Sequence, residues 1–145
     1  IVGPADAIAH LITLATHTTY GVPGFIQDAA RFALDQGTAL EDAIAAPFRR
    51  RRAAALDLLA RQQVVAASPP DGAMYLMLDI RSTGLSGQEF ANALLDAAKI
   101  GVMPGESFGE TAAGHVRIAL TVPDDRLADA LRRLLRFAET ASHAA

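Results

Sequence analysis

Apolar residues recur at helical spacing in the first 61 residues and at alternate positions after Gln63, and this change of period locates the elements. After Gly3-Pro4, residues Ile8, Leu11, Ile12, Leu14 and Ala15 share a helical face. The pattern predicts a helix that fails in the polar, β-leaning stretch Thr16-His17-Thr18-Thr19-Tyr20-Gly21. Pro23 opens a second helix, with Phe25, Ile26, Ala29, Ala30, Ala33 and Leu34 on one broad face and Gly37 as its stop. A third helical pattern runs from near Leu40 to Arg61, and Pro47 inside it demands a kink or a restart. Val64-Val65-Ala66-Ala67 and Met74 to Ile80 then read as strands around the turn Ser68-Pro69-Pro70-Asp71-Gly72. Ser86 with Glu89 three residues on is a capping box, and Phe90, Ala91, Leu94, Leu95 and Ala98 form the inward face of the helix it starts. Ile100 to Pro104 is long enough only for an edge strand, Gly105 to Gly114 is a glycine-rich irregular loop, and His115 to Leu120 is a central strand. Pro123-Asp124-Asp125 starts a last helix with Leu127, Ala130, Leu131, Leu134, Leu135 and Ala138 inward.

The order is three helices followed by β-β-α-β-β-α. The second part forms a complete two-layer α+β unit: a mostly antiparallel sheet with both helices on one face. Residues 1–40 have no sheet of their own and read as the edge of a larger neighbouring domain. A connecting helix at 41–61 joins them to a small domain at 62–145. Ile1-Val2 running into Gly-Pro looks like the tail of a strand that begins upstream, so the chain is expected to be a C-terminal portion of something longer.

Composition narrows the function. The 145 residues are 51% hydrophobic and 20% charged, which suits a soluble domain with a real core. Thirteen Lys+Arg against sixteen Asp+Glu give a formal charge of −3, without the basic excess that nucleic-acid binding needs. No apolar run reaches the length of a membrane span, and a cytoplasmic location is expected. The absence of Cys removes disulfides, thiolate metal sites and a cysteine nucleophile. His10, His17, His115 and His143 show no metal-ligand spacing, so no metal is expected. Arg49 to Arg52 sweep most of a helix circumference and make a solvated face with scattered ion pairs rather than a basic patch. The glycines from Gly101 to Gly114 make no phosphate loop, because no Lys-Ser/Thr follows them.

Arg117 is the sharpest chemical feature. It is permanently charged, yet lies amid Val116, Ile118, Ala119 and Leu120; alternation puts it with His115 and Ala119 on one face. Two readings stand: an arginine on a solvent face or in a structural ion pair, or a fork that grips a ligand carboxylate through two parallel hydrogen bonds. The glycine-rich loop before it leaves room for a ligand. The single lysine, Lys99, follows a helix end, where a cation complements the dipole. Asp124 and Asp125 are helix N-terminal charges rather than catalytic carboxylates.

Three blocks, Pro70-Asp71-Gly72-Ala73-Met74-Tyr75, Gly101-Val102-Met103-Pro104-Gly105-Glu106-Ser107-Phe108-Gly109 and Gly114-His115-Val116-Arg117-Ile118-Ala119, together resemble the C-terminal part of class I/II aminotransferases. These are fold-type I enzymes that use pyridoxal 5'-phosphate, and the likeness spans essentially the whole chain. Tyr20-Gly21, Phe25 to Ala30 and Asp79 to Ser86 are further similar to the arginine–pyruvate transaminase branch, with aspartate as another candidate donor. The resemblance implies transfer of an amino group from an L-amino acid to a 2-oxo acid such as pyruvate, in a homodimer.

It makes residues 1–40 the end of the cofactor-binding large domain and 62–145 the small domain, which closes on substrate. Arg117 matches the arginine that binds the substrate α-carboxylate, orienting the Cα–H bond against the cofactor ring. Pro104, Gly105, Phe108 and Gly109 match the loop leading back to the active site. Tyr20 and Phe108 are further substrate-site candidates, and Tyr75 is read as packing. The Schiff-base lysine of the family pattern lies upstream of Ile1, so this chain alone is expected to hold no cofactor covalently and to be inactive. The alternative is a free-standing α+β module that binds a carboxylate at Arg117 without catalysis.

Overall fold

The two alternating segments pair with each other. In the computed structural model, which describes residues 2–143, strands β1 (Ala66–Ala67), β2 (Tyr75–Asp79), β3 (Met103–Pro104) and β4 (His115–Ala119) form one antiparallel sheet in the order β1-β2-β4-β3. Leu76 lies opposite Ile118 and Leu78 opposite Val116, and these four side chains are buried on one face. Met77 lies opposite Arg117 and Asp79 opposite His115 on the other face, as the period of two requires. The α+β architecture expected from the pattern is thus present.

Helices cover the apolar face. α3 (Thr38–Leu59) contributes Ala55 and Leu59, α4 (Gly87–Ala98) Phe90 and Leu94, and α5 (Asp124–Ser142) Leu127, Leu131, Leu134, Leu135 and Ala138. Phe90, with no exposed surface, meets Phe137 edge-on at 5.2 Å between ring centroids. The Ser86 capping box forms as expected: its hydroxyl accepts from the Glu89 N–H, and the Glu89 carboxylate accepts from the Ser86 N–H. Leu95 departs from expectation. It is exposed, because it sits about 100° around the helix from Leu94, which faces the sheet.

Several boundaries moved for local reasons. β1 is shorter than Val64 to Ala67, because the Gln62 side chain takes the backbone N–H groups of Val64 and Val65 and the Val65 carbonyl. α3 runs through Pro47 without restarting. The first helix continues through the threonines to Thr18, whose hydroxyl, like those of Thr13 and Thr16, donates to the carbonyl four residues back.

The chain divides into two compact units, Ile1–Ala43 and Ile44–Ala145. The first holds α1 (Ala5–Thr18) and α2 (Gly24–Asp35), neither of which contains a buried residue. Phe25, Ile26, Phe32 and Leu34 are all exposed, so this unit has no core of its own. No described helix is long and apolar enough to cross a membrane.

Candidate functional site

Arg117 stands at the middle of β4, the inner strand between β2 and β3, with Met77 and Met103 as its neighbours across the two ladders. It is half-buried. Its guanidinium carbon lies 4.1 Å from the Tyr75 ring centroid and 4.6 Å from that of Phe108. One ring comes from β2 and the other from the turn after β3, so both flanks of β4 send an aromatic face to the charge. No carboxylate forms an ion pair with Arg117 among the described residues, and none of its guanidinium N–H groups has a protein acceptor among them.

Five other arginines are held by carboxylates. Arg50 and Arg51 share the Asp124 carboxylate at 2.6 and 2.7 Å, and this pair of guanidinium donors pulls the Asp124 pKa down to about 2. Arg61 and Arg133 bond Asp57 and Asp129 one helical turn away. Arg81 forks onto Asp79 through Nε at 2.9 Å and Nη2 at 2.5 Å, and that hydrogen bonding lowers Asp79 to about 2. Arg117 instead has aromatic rings, which attract the cation while leaving its hydrogen-bond donors unused. A carboxylate is the ligand whose two oxygens match that planar fork.

The loop that brings Phe108 here is tightly built. Residues Gly105–Phe108 form a 3₁₀ turn. Gly105 is buried, and a Cβ there would collide with the Ala112 carbonyl and come within 2.7 Å of the His115 carbonyl oxygen. Its glycine requirement is therefore one of space. Gly114 has φ of 70° and supports the Arg81 chain, whose Cγ lies 2.5 Å from where a Cβ would stand.

Phe108 joins Arg117, whereas Tyr20 belongs to the first unit, where it is 90% exposed with φ of 58°. Tyr75, read from sequence as packing, is found against the guanidinium. The clue was available only as parity: Tyr75 and Arg117 share a face once β2 is known to pair with β4. Lys99 is the exposed left-handed residue that ends α4, and the adjacent Ala98 carbonyl accepts from Arg133. It lies at the rim of a cavity of about 480 Å³ between residues 99–102, the end of β4 and α5, and Arg117 does not line that cavity. Among the described residues no group of three His, Asp or Glu side chains could hold a metal.

The family model for aminotransferase class I and II matches residues 1–134. The arginine–pyruvate transaminase of Pseudomonas aeruginosa is 45% identical over 134 residues, covering 92% of this chain and 34% of that protein. An aspartate aminotransferase of Pyrococcus horikoshii is 28% identical over 142 residues, 96% of this chain and 36% of its own. Among solved structures, the aromatic aminotransferase of Pyrococcus horikoshii superposes with a TM-score of 0.81 at 28% identity, over 96% of this chain and 38% of that one. The chain spans about a third of the length of the curated relatives it matches. A small antiparallel sheet with helices on one face, an arginine left open on the other, and a family match over nearly every residue lead to one assignment: the chain belongs to the class I and II aminotransferases.

Proposed function

We propose that this chain is the C-terminal third of a pyridoxal-phosphate-dependent aminotransferase that passes the amino group of L-arginine to pyruvate, and that Arg117 binds the carboxylate common to donor and acceptor. The observation that carries the reading is the Arg117 guanidinium, held against Tyr75 and Phe108 with its donors unclaimed among the described residues. The donor is suggested by the 45% identity to the arginine–pyruvate transaminase, and aspartate is the next candidate.

In such a reaction the cofactor supplies an electron sink for charge developing at the substrate Cα. The lysine that would hold it covalently is not expected in this chain, whose single lysine, Lys99, is exposed at the end of α4. What the residues of this chain do is bind and orient. Two parallel N–H···O bonds from Arg117 would fix the plane of the carboxylate and with it the direction of the Cα–H bond. Tyr75 and Phe108 restrict the guanidinium's orientation and exclude water from its faces, which strengthens the charge–charge contact.

The test uses the full-length protein supplied with pyridoxal phosphate. Alanine should form from pyruvate with L-arginine as donor, faster than with L-aspartate. The 145-residue chain alone should form none, and borohydride treatment with the cofactor should leave Lys99 unlabelled. Failure of the full-length protein to transaminate any amino acid would leave a carboxylate-binding module as the better account.

A further inference from the structure

We infer that Glu106 is a positioning residue for the carboxylate site: its side chain ties the turn carrying Phe108 to α4 and to the start of β4, and so holds the Phe108 ring on Arg117. The inference rests on the carboxylate role proposed for Arg117.

Two backbone N–H groups from separate elements converge on one carboxylate oxygen. Glu106 Oε1 accepts from the Gly87 N–H at 2.9 Å and from the Gly114 N–H at 3.2 Å. Gly87 is the first residue of α4, so its N–H has no partner within the helix, and Gly114 directly precedes β4. Hydrogen bonding from its own amide and from the Gly87 and Gly114 amides holds the carboxyl below its ordinary range.

The segments approach closely here. A Cβ at Gly87 would meet the Glu106 carboxylate and lie 2.6 Å from the His115 carbonyl oxygen, so the helix start, the turn and the strand approach as bare backbone with the carboxylate between them. Phe108 is two residues beyond Glu106, and the Gly109 N–H closes the turn on the Glu106 carbonyl at 3.2 Å. Gly109 itself, at φ of 109° with open space around it, offers the turn no packing. Phe108 is 46% exposed, so its own burial cannot place it; the anchor upstream does.

The full-length enzyme carries the test, with L-arginine and pyruvate as substrates. Glu106→Ala should raise KM for both by roughly two- to fivefold, the range of a cation–π contact, while kcat changes by less than about twofold. Glu106→Gln should return both KM values to within about twofold of the parent, because an amide oxygen accepts the same two N–H bonds. Adding Phe108→Ala to Glu106→Ala should cost nothing beyond Phe108→Ala alone. If the Ala variant does not fold, Glu106→Asp, one methylene too short to span both amides, takes its place with the same expected direction. Unchanged KM values with a lowered melting temperature, or independent effects of Glu106→Ala and Phe108→Ala, would overturn the inference and leave Glu106 a brace of the fold. Arg117→Ala separates the two levels: if it too leaves both KM values unchanged, the carboxylate reading falls and this one with it.

Discussion

Arg117→Lys separates charge from geometry. Lysine keeps the positive charge on β4 but loses the planar fork and the stacking surface. The parent guanidinium sits 4.1 and 4.6 Å from two ring centroids, and each such contact contributes about 0.5–1 kcal/mol. Exchanging a bidentate pair for a single N–H···O bond removes one charge-assisted hydrogen bond, about 1.5–3 kcal/mol. The combined loss is roughly 2.5–5 kcal/mol, or a fall of about a hundred- to several-thousand-fold in kcat/KM. Steady-state kinetics of the full-length enzyme with donor and acceptor varied in turn measure it. Both substrates should suffer alike, since both present a carboxylate. A loss confined to one substrate would show that Arg117 recognises a side chain. A loss below about threefold would show that the charge alone acts.

Two stability predictions concern the surroundings of the site. Gly105→Ala places a methyl group against the backbone carbonyls of Ala112 and His115, which cannot swing aside, and should destabilise the second unit by about 1–3 kcal/mol; thermal unfolding reads this as a fall of several degrees, and an unchanged midpoint would contradict the close approach. Asp79 has its pKa lowered from 3.8 to about 2 by Arg81, so its contribution is present above pH 3.8 and is lost as the pH falls towards 2. Because Arg81 is 69% exposed, solvent screening limits that contribution to about 1 kcal/mol. In acid titrations followed by circular dichroism, the stability gap between parent and Asp79→Asn should close across that window, and a gap independent of pH would refute the ion pair.

Much of this architecture is legible locally. Alternation in Tyr75 to Asp79 and His115 to Ala119 already sorts Leu76, Leu78, Val116 and Ile118 from Met77, Asp79, His115 and Arg117, because a strand's faces differ by parity. Ser86 and Glu89 announce their helix, and Pro123 with two aspartates announces α5. Arg117 stands out as a charge in an apolar strand. At β1 a side chain substitutes for a backbone partner: Gln62 takes the Val64 and Val65 N–H groups and shortens the strand.

The environment of Arg117 lies beyond local pattern. Tyr75 precedes it by 42 positions and Phe108 by nine, and the pairing of β2 with one side of β4 and of β3 with the other brings both rings to the charge. Glu106 looks from sequence like any exposed loop carboxylate; its role arises because the N–H groups of Gly87 and Gly114, 27 positions apart in the chain, both reach its side chain. Hydrophobic period and capping chemistry act over a few residues, and they suffice to set each element and its buried face. Which charges go unpaired, which rings they meet and which loop holds those rings follow from strand order and close backbone approach. Those depend on long-range closure, which no local period encodes.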